Sequence, residues 1–348
     1  PSLSSILGNR SKEKKKRNER ELPRLTSSDM PADIRAAFDI ETWFERGVKD
    51  FDNTPVICIC ITVRKHDNKI TKFDSKAAPD GTPPSFTPLD GYHYYTFMMG
   101  KTAPPNRNSE LLGPEFLFEF YREDHLLSAF FYFKHLLMPT YVQGHNSKGF
   151  DEVKLYARAR MIGAEVAPQG WRLDQQTRLT VKKFKSIAKG ERRQYFAEGQ
   201  EGTCHVDTLQ VAMNELNRNS YQLSSLAADL VGMTKHDMPY DAIKGHWTEG
   251  PMTRRTLVDY CIRDAQLPDQ INTKRQTIAT MCELSRVTTN VTEDRLHDEG
   301  MQIKVLGAEL YTNAEFGDEA LLPTSKNWMK SMNQAVDENV CSSNKREI

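Results

Sequence analysis

The sequence predicts an α/β fold: a mixed sheet flanked by helices, with a β-hairpin insertion. Three observations predict it. Short, almost wholly apolar runs near the start have the length and β-branched content of buried strands. Later segments place apolar residues at i, i+3, i+4 and i+7, the spacing of one helix face. Between them, residues 176–212 alternate in polarity and are broken at Gly190, as strands joined by a tight turn would be. The 348 residues, 38% hydrophobic and 27% charged, suffice for one large domain or two small ones.

Residues 1–30 carry Lys12, Lys14, Lys15, Lys16 and Arg17 in one run and are expected to be a flexible basic segment. A nuclear-import or DNA-backbone contact is the sharper reading of that run. The principal domain is expected over 31–290. Ile34 to Ile40 predicts a strand, and Val56 to Val63 (VICICITV) a buried one. Residues 76–114, rich in Pro, Gly, Asn and Ser, read as a long surface insertion in which GYHYYTFMM can form a strand. Leu126 to Leu137 follows the acidic pair Glu123-Asp124 and has helical spacing. Tyr141-Val142 predicts a short strand running into the polar turn GHNSKG, after which Phe150 to Met161 returns to helix.

RLTVKKF, RQYFA and CHVDTLQV are expected as strands, the first two forming a hairpin over 178–199. That ribbon holds Lys182, Lys183, Lys185, Lys189, Arg192 and Arg193. Leu223, Leu226, Ala227 and Leu230 define an amphipathic helix that Gly232 stops. Helices are expected over 252–288 and again near 293–313.

The formal net charge is zero, so a basic surface for nucleic acid must be local. The first twenty residues are polar and basic, unlike a signal peptide. The most apolar stretch, Leu126 to Val142, contains Lys134, His135 and Pro139, so no membrane span is expected. The six cysteines include no CxxC pair, which predicts free thiols in a reducing compartment and no zinc. Cys58 and Cys60 share one face of an apolar strand and are expected in the core. The chain opens on Pro1, as a piece of a longer chain would.

Asp39-Ile40-Glu41 ends the first predicted strand. Residues i and i+2 of a strand face the same way, so both carboxylates can reach one point. Asp151 begins a predicted helix five residues after Asn146, and Asp264 follows Tyr260 by one helical turn. Alone, each has a plain explanation: a chance strand pair, a helix cap, a surface Asp beside a half-buried Tyr. Together they supply four carboxylates from three elements, and such a set repels itself unless cations lie within it. Hard oxygen ligands select Mg²⁺ or Mn²⁺, and two such ions about 4 Å apart suit phosphodiester cleavage. The Tyr260 hydroxyl, which both donates and accepts, can orient the attacking water.

AFDIET (37–42), GHNSKGFD (144–151) and YCIRD (260–264) resemble the three exonuclease motifs of B-family DNA polymerases. VDTLQVAMNELNRNSYQLSSLAADLVG (206–232) is similar to the delta-type segment between the second and third motifs, and CELSRVTTNVTEDRLHDEGMQIKVLGAEL (282–310) to the stretch after the third. The likeness covers roughly 33–323, with His145 departing from the family's usual aromatic.

The resemblance implies an RNase H-like fold of the DEDDy class and 3′→5′ proofreading of DNA. Asp39, Glu41, Asp151 and Asp264 would hold two Mg²⁺ or Mn²⁺ ions, Tyr260 the water, and Asn146 the terminal nucleotide. Lys182, Lys183, Lys185, Arg192 and Arg193 would contact substrate from a hairpin that keeps a frayed primer from its template. Asp207 is expected to brace the neighbouring helix rather than bind metal. The resemblance further implies a lead-in at 291–348 toward a polymerase palm whose motifs the chain lacks. The partners implied are primer 3′ end and template, the rest of the polymerase and a processivity factor, without a membrane. The location implied is the nucleus or, given the insertion's spacing, a viral replication site. A stand-alone DEDD nuclease and a non-catalytic exonuclease-like scaffold or DNA-binding module are the alternatives.

Overall fold

The computed structural model describes residues 33–43, 53–66, 91–105, 111–170, 177–186, 190–198, 200, 202–233 and 238–288. A six-stranded mixed sheet in the order β4-β3-β2-β1-β5-β8 is its centre. The strands are β1 (Asp33–Thr42), β2 (Val56–His66), β3 (Tyr92–Met99), β4 (Glu115–Phe120), β5 (Tyr141–Gly144) and β8 (Cys204–Asp207). β1 pairs antiparallel with β2 and parallel with β5, so the strand bearing Asp39 and Glu41 is central and paired along both edges.

Alternation along β1 and β2 sorts side chains onto two faces. Phe38, Ile40, Ile59 and Ile61 are buried against Leu126, Leu127, Phe130 and Phe131 of α1 (Glu123–Leu137) and Leu155 of α2 (Asp151–Ile162). Cys58 and Cys60 point the other way, into a cluster with Leu257, Val258, Cys261, Ile262 and Ala265 of the long helix α6 (Pro251–Lys274). Asp39 is registered opposite Cys60 and Glu41 opposite Cys58, so both carboxylates belong to the face that carries α6. Among the described residues, three shorter helices lie between β8 and α6 in the chain: α3 (Thr208–Glu215), α4 (Leu223–Val231) and α5 (Ala242–Glu249). α4 ends where Gly232 takes a left-handed conformation, φ 71°, as its sequence foretold.

α6 is pinned on both sides of Tyr260 and Asp264. Toward its start, Arg255 donates to both oxygens of Glu115 on β4, at 2.8 and 2.9 Å. Toward its end, the buried Asp269 accepts from Arg64 of β2 at 3.0 Å, Tyr92 of β3 at 2.5 Å and Gln143 of β5 at 2.8 Å. Asn272 extends this network to Gln143 and to Thr208 of α3. Between the anchors, Pro268 lies inside the helix and has no N–H to give the Asp264 carbonyl one turn earlier.

Two expectations change. The insertion expected at 76–114 contains β3, an inner strand whose Tyr92, Tyr94, Phe97 and Met98 are buried. Its aromatic residues follow the sheet's alternation, and that outweighs the loop-like composition around them; residues 67–90 and 106–110 lie outside the described residues. CHVDTLQV is not one strand: β8 stops at Asp207, whose carboxylate accepts the Leu209 N–H and caps α3. The hairpin pairs β6 (Arg178–Ser186) with β7 (Gly190–Glu198) as a separate two-stranded sheet. The basic segment 1–30, Lys189 and everything from 289 onward lie outside the described residues.

The described residues up to Thr277 form one compact unit, and a second begins at Ile278, of which the helix α7 (Thr277–Thr288) is described. Among the described residues no helix is long and apolar enough to cross a membrane.

Candidate active site

Asp39 and Glu41, brought together by the two-residue strand period, have carboxylate oxygens within 4.8 Å of each other and of Cys261 Sγ. Cys261 docks α6 onto this strand, its thiol 3.5 Å from the Asp39 carbonyl oxygen. One residue earlier stands Tyr260, whose hydroxyl is hydrogen-bonded to Asp264 and lies in the field of Glu41 and Asp39. Burial raises this phenol far above its ordinary range, and the three carboxylates add to the effect. Tyr260 is therefore a neutral hydroxyl at physiological pH and works by hydrogen bonding, not as an anion.

Asp151 stands at the first turn of α2, the helix packed on the other face of the sheet, and its carboxylate accepts from the Ile40 N–H beside Asp39 and Glu41. Burial pushes its carboxyl up to about 8; Asp207 and Glu152 push the same way, while its own N–H and that of Ile40 oppose them. A nearby cation reverses that balance, because it favours the ionised form. The adjacent Glu152 is occupied otherwise: it pairs with His205, and His205, Lys134 and Lys148 hold it ionised, down to about 2, against the cost of burial.

The turn before α2 is built to hold Asn146 outward. Asn146 is exposed and takes a left-handed conformation, φ 62°, which Asn tolerates better than most residues. Its backbone N–H donates to Asp207 Oδ1 at 2.8 Å, and the Lys148 N–H donates to Asp207 Oδ2 at 3.2 Å. Asp207 is thus the brace of this turn as well as the cap of α3. The turn also needs its glycines: a Cβ on Gly144 would sit 2.5 Å from Ser147 Cβ, and one on Gly149 the same distance from Asn146 Oδ1.

Sequence reasoning missed Tyr240. Its hydroxyl is hydrogen-bonded to Thr42, and Glu41, Asp151 and Asp39 all act on it. Asp39 and Glu41 thus act on both tyrosines, on Tyr260 together with Asp264 and on Tyr240 together with Asp151. The Asp39 and Glu41 carboxylate oxygens, within 4.8 Å of each other, are hard ligands of the kind that suits Mg²⁺ or Mn²⁺. The basic residues Lys182, Lys183 and Lys185 stand on β6, and Arg192 and Arg193 on β7, with Lys183 registered opposite Arg193.

A profile of the exonuclease domain of DNA polymerase family B matches residues 6–226. That span contains Asp39, Glu41, Asn146 and Asp151 and ends before Tyr260. Among similar proteins, the DNA polymerase delta catalytic subunit of Candida albicans is 30% identical over 203 residues, 58% of this chain and 19% of that protein. The subunit of Bos taurus is 29% identical over 186 residues, 53% of this chain and 17% of that protein. That of Schizosaccharomyces pombe is 27% identical over 260 residues, 71% of this chain and 23% of that protein. The chain thus spans about a fifth of the length of these relatives. With a profile matched over more than half its length and a mixed sheet that places paired carboxylates on a central strand, the chain belongs to DNA polymerase family B, in the part that forms the exonuclease domain.

Proposed function

We propose that the chain is a 3′→5′ exodeoxyribonuclease that removes mismatched 3′-terminal nucleotides from DNA, as the proofreading part of a replicative polymerase. The observation that carries this reading is the meeting of Asp39 and Glu41 on β1 with Tyr260, itself bonded to Asp264, on α6. Asp39, Glu41, Asp151 and Asp264 would hold two Mg²⁺ or Mn²⁺ ions, which supply charge stabilisation to the attacking and leaving oxygens. Tyr260 orients the water through its neutral hydroxyl. Asn146, held outward by Asp207, contacts the terminal nucleotide. Water adds to the terminal phosphorus as the bond to the preceding 3′ oxygen breaks, that oxygen takes a proton, and a nucleoside 5′-monophosphate leaves.

The basic ribbon of β6 and β7 would hold a frayed primer apart from its template, since lysine and arginine bind phosphates without sequence choice. Partners on this reading are the primer 3′ end and template, the remainder of the polymerase and a processivity factor, in the nucleus or at a viral replication site.

A non-catalytic scaffold is the weaker reading, because a cluster of carboxylates is costly to bury where no cation is bound. The delta-type relatives favour a polymerase part over a stand-alone nuclease. Polarity is the test. With Mg²⁺, a primer labelled at its 5′ end should shorten one nucleotide at a time, and a 3′-terminal label should leave as a mononucleotide. RNA should be cut more slowly. Internal cuts, or loss of the 5′ label first, would reject the reading.

A further inference from the structure

We infer that Cys58, Cys60 and Cys261 form a binding site for one thiophilic metal ion of the Zn²⁺ class, which clamps α6 to the sheet behind the carboxylate pair. Cys58 and Cys60 stand two apart on β2 and so share a face, and Cys261 meets them from α6. All three are free thiols, and none is more than 1% exposed. Their sulfurs lie within 4.8 Å of one another, and those of Cys58 and Cys60 are 3.8 Å apart. A tetrahedral Zn²⁺ with Zn–S bonds of about 2.3 Å holds its sulfurs about 3.8 Å apart. The cluster therefore needs little movement to close on an ion.

A buried cysteine often serves only as a small core residue. Here three of them converge from two elements, and the groups around them complete a metal site. Carboxylate oxygens of Asp39 and Glu41 lie within 4.8 Å of Cys261 Sγ, and Glu41 is registered opposite Cys58. They offer an oxygen as fourth ligand, and the half-buried Asp39 marks the path by which an ion enters. The Thr96 hydroxyl stands 3.6 Å from Cys60 Sγ, where it can donate to a thiolate. Zn²⁺ on three thiolates leaves one negative charge, and the charge of Arg255 acts on Cys60 against it. On binding, the three thiol protons pass to solvent. Mg²⁺ and Mn²⁺ prefer oxygen and leave the sulfurs to the softer ion. The site replaces the expectation of no zinc. That expectation rested on the missing CxxC, whereas these donors are a CxC on a strand and a cysteine on a distant helix.

The test loads the full chain with Zn²⁺ under a non-chelating reductant, with Mg²⁺ in large excess to occupy the oxygen ligands. After desalting, metal analysis should find one zinc per chain, and X-ray absorption at the zinc edge three sulfurs at about 2.3 Å. Co²⁺ in its place should give sulfur-to-cobalt charge-transfer absorption that added Zn²⁺ abolishes. Cys58→Ala should lose the ion or keep only two sulfurs around it. The triple variant Cys204→Ala/Cys282→Ala/Cys341→Ala should bind zinc as the unaltered chain does. No retained zinc, or a shell of oxygen and nitrogen alone, in the unaltered chain would overturn the inference, and that result needs no variant to fold. So would three sulfurs that persist in Cys58→Ala, or that vanish in a folded triple variant. The inference does not rest on the nuclease reading, since the zinc shell is measured whether or not DNA is cut.

Discussion

Arg64 on β2 and Asp269 on α6 form a buried ion pair at 3.0 Å, five residues beyond Asp264 in the helix. This pair sets the rotation of α6 on the sheet, and with it the face that presents Tyr260 and Asp264 to β1. Removing one partner leaves a buried charge uncompensated, which costs about 3–5 kcal/mol. Asp269→Ala should therefore lower unfolding free energy by that amount in urea titration, without a large change in m-value. A loss under 1 kcal/mol would show that the pair is incidental.

The same carboxylate gives a pH signature. Burial alone would raise Asp269, but Arg64, with Tyr92 and Gln143, holds it below its ordinary value. A folded-state pKa that is depressed contributes stability above the unfolded value of about 4 and loses it as pH falls through the folded value. The stability gap between the unaltered protein and Asp269→Asn should be constant near neutrality and narrow below about pH 4. A gap that widens on acidification would contradict the assignment.

Asp207 makes a contrasting case, since it serves the turn rather than the chemistry. Asp207→Ala removes a helix cap and two further bonds to the Asn146 and Lys148 N–H groups. Stability should fall by about 1–3 kcal/mol. Cleavage should weaken mainly through KM, because Asn146 loses its brace. Complete loss of turnover in a folded Asp207→Ala protein would instead make Asp207 a metal ligand.

How much of this was legible in the sequence differs by element. Asp39 and Glu41 could be paired from the strand period alone, and Tyr260 with Asp264 from the helical turn, because those are local geometries. The helices α1, α2 and α4 announced themselves through apolar spacing and, for α4, Gly232. GYHYYTFMM could be read as a strand, but its inner place in the sheet was hidden, because its neighbours have loop composition and its burial depends on pairing with β2 across a long gap in sequence. The switch at Asp207 was hidden because CHVDTLQV alternates as well as a strand does until the cap intervenes. Nothing local marks Tyr240 or Asp269: each gains its meaning from partners up to two hundred residues away.

For the hairpin, replacing Lys182, Lys183, Lys185, Lys189, Arg192 and Arg193 with Ser or Gln should weaken binding to duplex primer-template. It should also flatten the salt dependence, while single-strand digestion changes less. If digestion of duplex and single strand is unaffected at both low and high salt, the charges only protect an exposed ribbon from aggregation.

Tyr260→Phe keeps the ring and removes the hydroxyl. The rate should fall by up to about 10²–10⁴, with little change in DNA affinity. A tenfold loss of affinity at constant rate would make Tyr260 a substrate contact.

The central claim is that the carboxylates gathered on β1 and α6 are the site of DNA hydrolysis. Its most direct measurement compares release of the 3′-terminal nucleotide from a mismatched primer by the unaltered chain and by the double variant Asp39→Ala/Glu41→Ala, in Mg²⁺. Cleavage should be abolished, and the variant should be folded and as stable or slightly more so, since removing two like charges relieves repulsion. An unchanged nuclease rate in the folded double variant would contradict the account.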